Sequence, residues 1–130
     1  MNKFALTLPV ALLGAALFAG HAQAAGCGKP RNAFDTVYCA GNLFTQTDKT
    51  LNQTYTELRK QLNSAQQSTL KQSQLAWIKQ RDAQCSREDS TGYFVNLDCA
   101  NSMTQERLDF LKERQRECSS TGCEASKLAQ

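Results

Sequence analysis

Six cysteines, Cys27, Cys39, Cys85, Cys99, Cys118 and Cys123, constrain this 130-residue chain more than any other feature. No two of them form a CxxC pair, and the only histidine, His21, precedes them all. The residue types and spacings of a zinc site are therefore missing, and an even number of cysteines in a short chain reads as a disulfide framework. Such a framework needs an oxidising compartment. The N-terminus supplies a route to one: Lys3 gives a positive start, residues 4–19 are an uncharged apolar run, and Ala22-Gln23-Ala24 is the small-x-small pattern that signal peptidase cuts. Residues 1–24 are expected to be a cleaved signal peptide and the mature protein to be periplasmic or secreted, by Gram-negative-type export. Ala24-Ala25-Gly26-Cys27 loosely resembles a lipidation box, so a lipoprotein form through Cys27 is the alternative. It would leave five cysteines for pairing, and a soluble form with no membrane attachment is the preferred reading.

Removing that segment also removes His21, and with it Ser-His-Asp catalysis, Cys-His catalysis and histidine metal sites. No cofactor or metal is implied. Of the 15 basic residues only Lys3 is lost, leaving 14 against 12 acidic ones, interleaved rather than gathered in a stripe. That balance gives no support for a nucleic-acid partner.

Three segments have helical periodicity and none reads as a strand. In the first, Leu51, Tyr55, Leu58 and Leu62 share one helix face. Leu43, Phe44 and Asp48 extend it upstream, and Gly41-Asn42 is a candidate break that would set off residues 34–40 as an extra short N-terminal helix. Asn63-Ser64 supplies a turn and a cap for a second helix over about residues 66–87. Residues 86–101 read as a loop with a Thr-Gly turn and the apolar cluster Tyr93, Phe94, Val95 and Leu97. A third helix is expected over about 102–117, with Met103, Leu108 and Leu111 as its stripe. The fold class is all-α: a small three-helix, up-down-up bundle braced by disulfides. The expected division is residues 25–118 as the domain and 119–130 as a polar tail, frayed apart from its cysteine. Topology favours Cys85–Cys99, Cys27–Cys39 and Cys118–Cys123; exchange at the crowded end would give Cys39–Cys85 and Cys27–Cys99.

Leu70, Gln74, Trp77, Ile78, Arg81 and Cys85 fall on one side of the second helix, with Asp82 at the margin. Gln74 and Arg81 thus stand where apolar side chains belong, and burying them without partners costs several kcal/mol. Asp48 and Asn52 on the first helix, and Glu106 and Asp109 on the third, are candidate partners, as is Asp82 for Arg107. The resulting polar stripe, Asp48, Asn52, Gln74, Trp77, Arg81, Asp82 and Arg107, is read as structural. Its rivals are presentation of Arg81 and Asp82 to a ligand, and catalysis. Acid–base chemistry by paired carboxylates needs one acid kept protonated in an apolar pocket. Asp48, Glu57, Asp82 and Glu106 lie in charge-rich sequence, so no enzyme is expected.

The elements D-x-x-L-N-x-x-Y (Asp48, Leu51, Asn52, Tyr55) and Q-x-x-W-x-x-x-R-D-x-x-C (Gln74, Trp77, Arg81, Asp82, Cys85) occur here with Cys27, Cys99, Thr104, Arg107 and Leu108. Together they resemble the LprI-type lysozyme-inhibitor domain, a family of small exported helical bacterial proteins, over residues 27–111. The resemblance implies a protein partner, a lysozyme, blocked by steric occlusion. The loop between Cys85 and Cys99 is the expected contact, with Tyr93 and Phe94 as aromatic anchors and Glu88, Asp89 and Asp98 as an acidic fringe offset by Arg87. Alternatively, Tyr93 and Phe94 fold back to cap the bundle. Two other functions compete: an immunity-type or envelope interaction module with a different protein target, and a small-ligand binder with a pocket around Gln74, Trp77 and Arg81.

Overall fold

A computed structural model describes residues 27–130, and the expected leader, residues 1–24, lies outside the described residues. The described chain is mostly helical, with one small hairpin: α1 Ala33–Lys60, α2 Ser64–Cys85, β1 Ser86–Asp89, β2 Gly92–Val95, α3 Leu97–Ser120 and α4 Ala125–Leu128. Asn32 caps α1 by accepting from the Asp35 amide at 2.8 Å. The helix then runs for 28 residues, so the candidate break at Gly41-Asn42 does not occur and residues 34–40 are not a separate helix. A glycine inside a helix costs only about 1 kcal/mol. Burial of Ala40 on one side and the Thr45 hydroxyl bonded to the Gly41 carbonyl at 2.9 Å on the other hold the turn.

Asn63 caps α2 in a reciprocal box: its side chain accepts from the Gln66 amide at 2.9 Å, and Gln66 Oε1 accepts from the Asn63 amide at 3.0 Å. Replacing such a cap by alanine costs about 1 kcal/mol, so Asn63→Ala is expected to lower the melting temperature by about 4–8 °C. Calorimetric melting of the variant checks this.

The core is a cluster of leucines: Leu51, Leu58 and Leu62 from α1, Leu70 from α2, Leu108 and Leu111 from α3, and Leu128 from α4. Gln61 approaches Ser119 at 3.5 Å and Gln66 donates to the Cys123 carbonyl at 2.8 Å, while Cys85 Sγ lies 3.5 Å from Met103 Sδ. The end of α1 thus meets the end of α3, and the end of α2 meets the beginning of α3.

The disulfides are Cys27–Cys39, Cys85–Cys99 and Cys118–Cys123, the sequence-local set rather than the exchanged one. Cys27–Cys39 ties the extended lead-in to α1. Cys85–Cys99 joins the last residue of α2 to the first turn of α3. Cys118–Cys123 closes the turn after α3, where Gly122 adopts φ 100°, a left-handed conformation that glycine tolerates.

Three expectations are corrected. Residues 86–95 are a two-stranded antiparallel hairpin, not a loop, with Ser86 opposite Val95, Arg87 opposite Phe94 and Glu88 opposite Tyr93. Ser90 and Thr91 form the turn, and Gly92 at φ 143° lets the chain re-enter the ladder. Both hairpin faces are exposed apart from the half-buried Ser86, so there is no polar–apolar alternation to mark the strands. Next, α3 begins at Leu97 rather than near Ser102, because Asn96 accepts from the Cys99 amide at 3.0 Å and caps it. Finally, the tail does not fray. Leu128 is buried in the core, Lys127 pairs with Glu117 at 3.0 Å, and Arg107 Nη1 donates to the Gln130 main-chain oxygen at 2.7 Å.

Candidate functional site

The misplaced polar residues of α2 divide into two groups on either side of Trp77. In the first, the guanidinium of Arg107 on α3 donates from Nε to Gln74 Oε1 at 2.9 Å and from Nη2 to Ser73 Oγ at 2.8 Å. Its third bond is the one to Gln130. Phe110 lies beneath it at 4.4 Å, and the Trp77 ring is 5.9 Å away. Arg107 is only 5% exposed, and among the described residues no Asp or Glu side chain pairs with it. Burial consequently pushes its pKa down to about 10, leaving it cationic at neutral pH. A side-chain amide, a hydroxyl, the Gln130 main-chain oxygen and aromatic faces hold this charge. The candidate Arg107–Asp82 pairing is not formed: Arg107 is engaged with Gln74, Ser73 and Gln130, and Asp82 pairs with Arg81.

Arg81 organises the second group. Its Nη1 lies 3.5 Å from Asp48 on α1, and its Nη2 lies 3.1 Å from its neighbour Asp82. The guanidinium stacks over Trp77 at 5.0 Å and Phe44 at 5.4 Å. Asn52 Nδ2 donates to Asp48 at 3.0 Å, so Asp48 is held from both sides. Glu106 and Asp109, the other candidate partners, are exposed, and Asp109 accepts from Gln105. Arg81 and Arg107 each lie over the Trp77 ring, and through these two guanidiniums Asp48 and Asp82 on one side and Gln74 on the other are linked across α1, α2 and α3, with Asn52 bonded to Asp48. The Arg81–Asp48 pair links α2 to α1, and the Arg107–Gln74 and Arg107–Ser73 bonds link α3 to α2. Phe44 and Ser73 belong to this cluster and were missed in the sequence. Ser73 is adjacent to Gln74 on the inward side of α2, and Phe44 lies one turn before Asp48, so helical phase carried the signal for both.

The hairpin extends from the end of this cluster. Tyr93 is 64% exposed, Phe94 41% and Val95 50%. Strand pairing puts Arg87 and Phe94 on one face, where the guanidinium covers the Phe94 ring at 4.7 Å. Ser86, Glu88, Tyr93 and Val95 share the other face, and the Tyr93 hydroxyl donates to Ser86 Oγ at 2.7 Å. Tyr93 and Phe94 are therefore exposed on opposite faces of the hairpin, Phe94 under Arg87 and Tyr93 beside Ser86. Glu88 and Asp89 lie on the hairpin with them. Asp98 does not: it sits in the first turn of α3, where a negative charge suits the helix dipole.

Asp89 secures the turn. Its carboxylate accepts from the Thr91 hydroxyl and, at 2.8 Å, from the Thr91 amide, and these bonds hold it below the usual carboxylate value of 3.8. With the folded pKa lowered, the contribution of this turn is present above pH 3.8 and is lost as pH falls through the folded midpoint. An NMR titration of the Asp89 carboxyl is expected to give a midpoint below 3.8, moving upward in Thr91→Val.

The family model described as "Lysozyme inhibitor LprI" matches residues 27–111, a span holding α1, α2, the hairpin and the first half of α3. No curated protein and no solved structure matches the chain.

Proposed function

The chain belongs to the lysozyme inhibitor LprI family, and on that premise we propose that it is an exported inhibitor that occludes a cell-wall muramidase with its hairpin. The observation that carries this reading is the exposed Tyr93-Phe94-Val95 edge on a hairpin whose two ends are joined by Cys85–Cys99. A contact element held in one shape loses little conformational entropy on binding. Aromatic side chains on such an element supply most of an interface's affinity. The family description is that of an inhibitor, which agrees with a binding role and not with catalysis. A pocket for a small ligand around Gln74, Trp77 and Arg81 is disfavoured because these groups are engaged with Arg107, Asp48 and Asp82.

The protein acts in the periplasm or outside the cell, after removal of residues 1–24. Three disulfides agree with that compartment, and no helix among the described residues is long and apolar enough to cross a membrane. The Cys27 sulfur is bonded to Cys39, which leaves it unavailable for a lipid thioether and supports the soluble form. The pairings between helix ends support the up-down-up order of α1, α2 and α3, with residues 119–130 included in the domain by the burial of Leu128.

The test is the clearing of a cell-wall suspension by lysozymes of several classes, with and without a micromolar excess of the purified mature protein. Slower clearing by at least one class is the expected result. Unchanged clearing by every class discards the reading.

A further inference from the structure

Between the hairpin and the α2 cluster lies a cleft of about 160 Å³, lined by Phe44, Arg81, Asp82, Cys85, Tyr93 and Val95 among others. Ligand sites for drug-sized molecules run to roughly 300–1,000 Å³. This one is the size of a single protein side chain, and most of its wall is apolar.

Its charge selects the kind of side chain. Arg81 is the one cation in the lining, but its side chain is only 14% exposed and is turned onto Asp48, Asp82 and the rings of Phe44 and Trp77. Asp82 keeps 54% of its side-chain surface in water and Asp48 38%. Glu88 is exposed directly opposite Tyr93 on the same hairpin face, whereas Arg87 points to the other face with Phe94. The exposed charge around the opening is therefore negative, above walls made of aromatic and aliphatic carbon. A long cationic side chain matches both properties: its methylene stem packs on apolar surface while its head reaches the carboxylates and an aromatic face.

We propose that this cleft is an anchor pocket for a lysine or arginine side chain projecting from the partner protein. The inference deepens the inhibitor reading and rests on it for the identity of the partner, though not for the chemistry of the pocket. It places the specificity of the contact where the hairpin meets α1 and α2, and it gives Asp82 a role beyond holding Arg81.

Two measurements test it together. First, wild type, Asp82→Asn, Tyr93→Ala and the remote control Asp109→Asn are titrated calorimetrically against a lysozyme that the wild type inhibits. Thermal melting checks that each variant is folded. Asp82→Asn and Tyr93→Ala are expected to bind about tenfold more weakly, with Asp109→Asn unchanged. Equal affinities for Asp82→Asn and Asp109→Asn overturn the pocket and leave the inhibitor reading intact. Second, ¹⁵N-labelled protein is titrated with acetyl-arginine amide and with acetyl-norleucine amide. Shifts at Phe44, Asp82 and Val95 caused by the arginine probe alone sustain the pocket, even where no lysozyme binds and the inhibitor reading falls. No shifts there, or equal shifts from the norleucine probe, overturn it.

Discussion

Replacing both Cys85 and Cys99 by alanine is expected to lower the melting temperature by on the order of 15 °C. Their bond spans 14 residues, and in the chain-entropy account a loop of that size stabilises the folded state by about 3 kcal/mol. In a domain of about a hundred residues each kcal/mol moves the transition by roughly 4–8 °C. The effect is large here because the leucine core draws on few side chains, and small domains bury too little surface to be generously stable. Cys85 is itself buried where α2 ends, so alanine, which introduces no hydroxyl, isolates the loss of the crosslink. Full reduction, which also opens Cys27–Cys39 and Cys118–Cys123, is expected to lower the transition further by freeing the segment that brings Leu128 into the core. Circular dichroism melts with and without reductant check both statements, and superimposable melts contradict them.

The second large effect concerns binding. Tyr93→Ala with Phe94→Ala is expected to weaken inhibition about 100-fold, in keeping with the 2–4 kcal/mol lost when central aromatic anchors are truncated. Stability is expected to change little. The side chains are exposed, and what they give up inside the protein is the Tyr93–Ser86 hydrogen bond and the Arg87–Phe94 stacking. Each is worth about 1 kcal/mol or less at an exposed site. Titrating the double variant into the clearing assay, beside a melting curve, separates the two quantities. Full potency in a folded double variant removes the hairpin from the contact.

The parts of this architecture that were legible in the sequence are those with a strong local period or a local partner. Leu51, Leu58 and Leu62 mark the buried face of α1 because each lies one or two turns from the next, and Asn63 announces α2 through a cap satisfied three residues later. The polar stripe was legible as a placement, since helical phase alone turned Gln74 and Arg81 inward. Their partners were legible only in part. Arg81 finds Asp48, but Arg107 finds Gln74 and Ser73, because burial of an arginine can be met by neutral acceptors and rings as well as by a carboxylate.

What was hidden is governed by single residues or by tertiary contact. The hairpin has no buried face, so Tyr93, Phe94 and Val95 gave composition without alternation. Asn96 followed by Asp98 was a usable start signal for α3, masked by the apolar cluster just before it. Leu128 is the one large apolar residue in an otherwise small and polar tail. Nothing local shows that the Cys118–Cys123 turn returns it to the core, or that Arg107 reaches the Gln130 main chain. The cleft under Tyr93 is hidden for the same reason, since Phe44, Asp82 and Val95 meet only after α1, α2 and the hairpin are assembled.

Hydrogen–deuterium exchange of the protein, alone and in the presence of a lysozyme that it inhibits, tests the central claim most directly. Slowed exchange centred on the amides of residues 86–95 and the adjoining residues 81–82, with α4 and the outer surface of α3 unaffected, is the result this account predicts. Unchanged exchange throughout the hairpin, with protection confined to another surface, contradicts it.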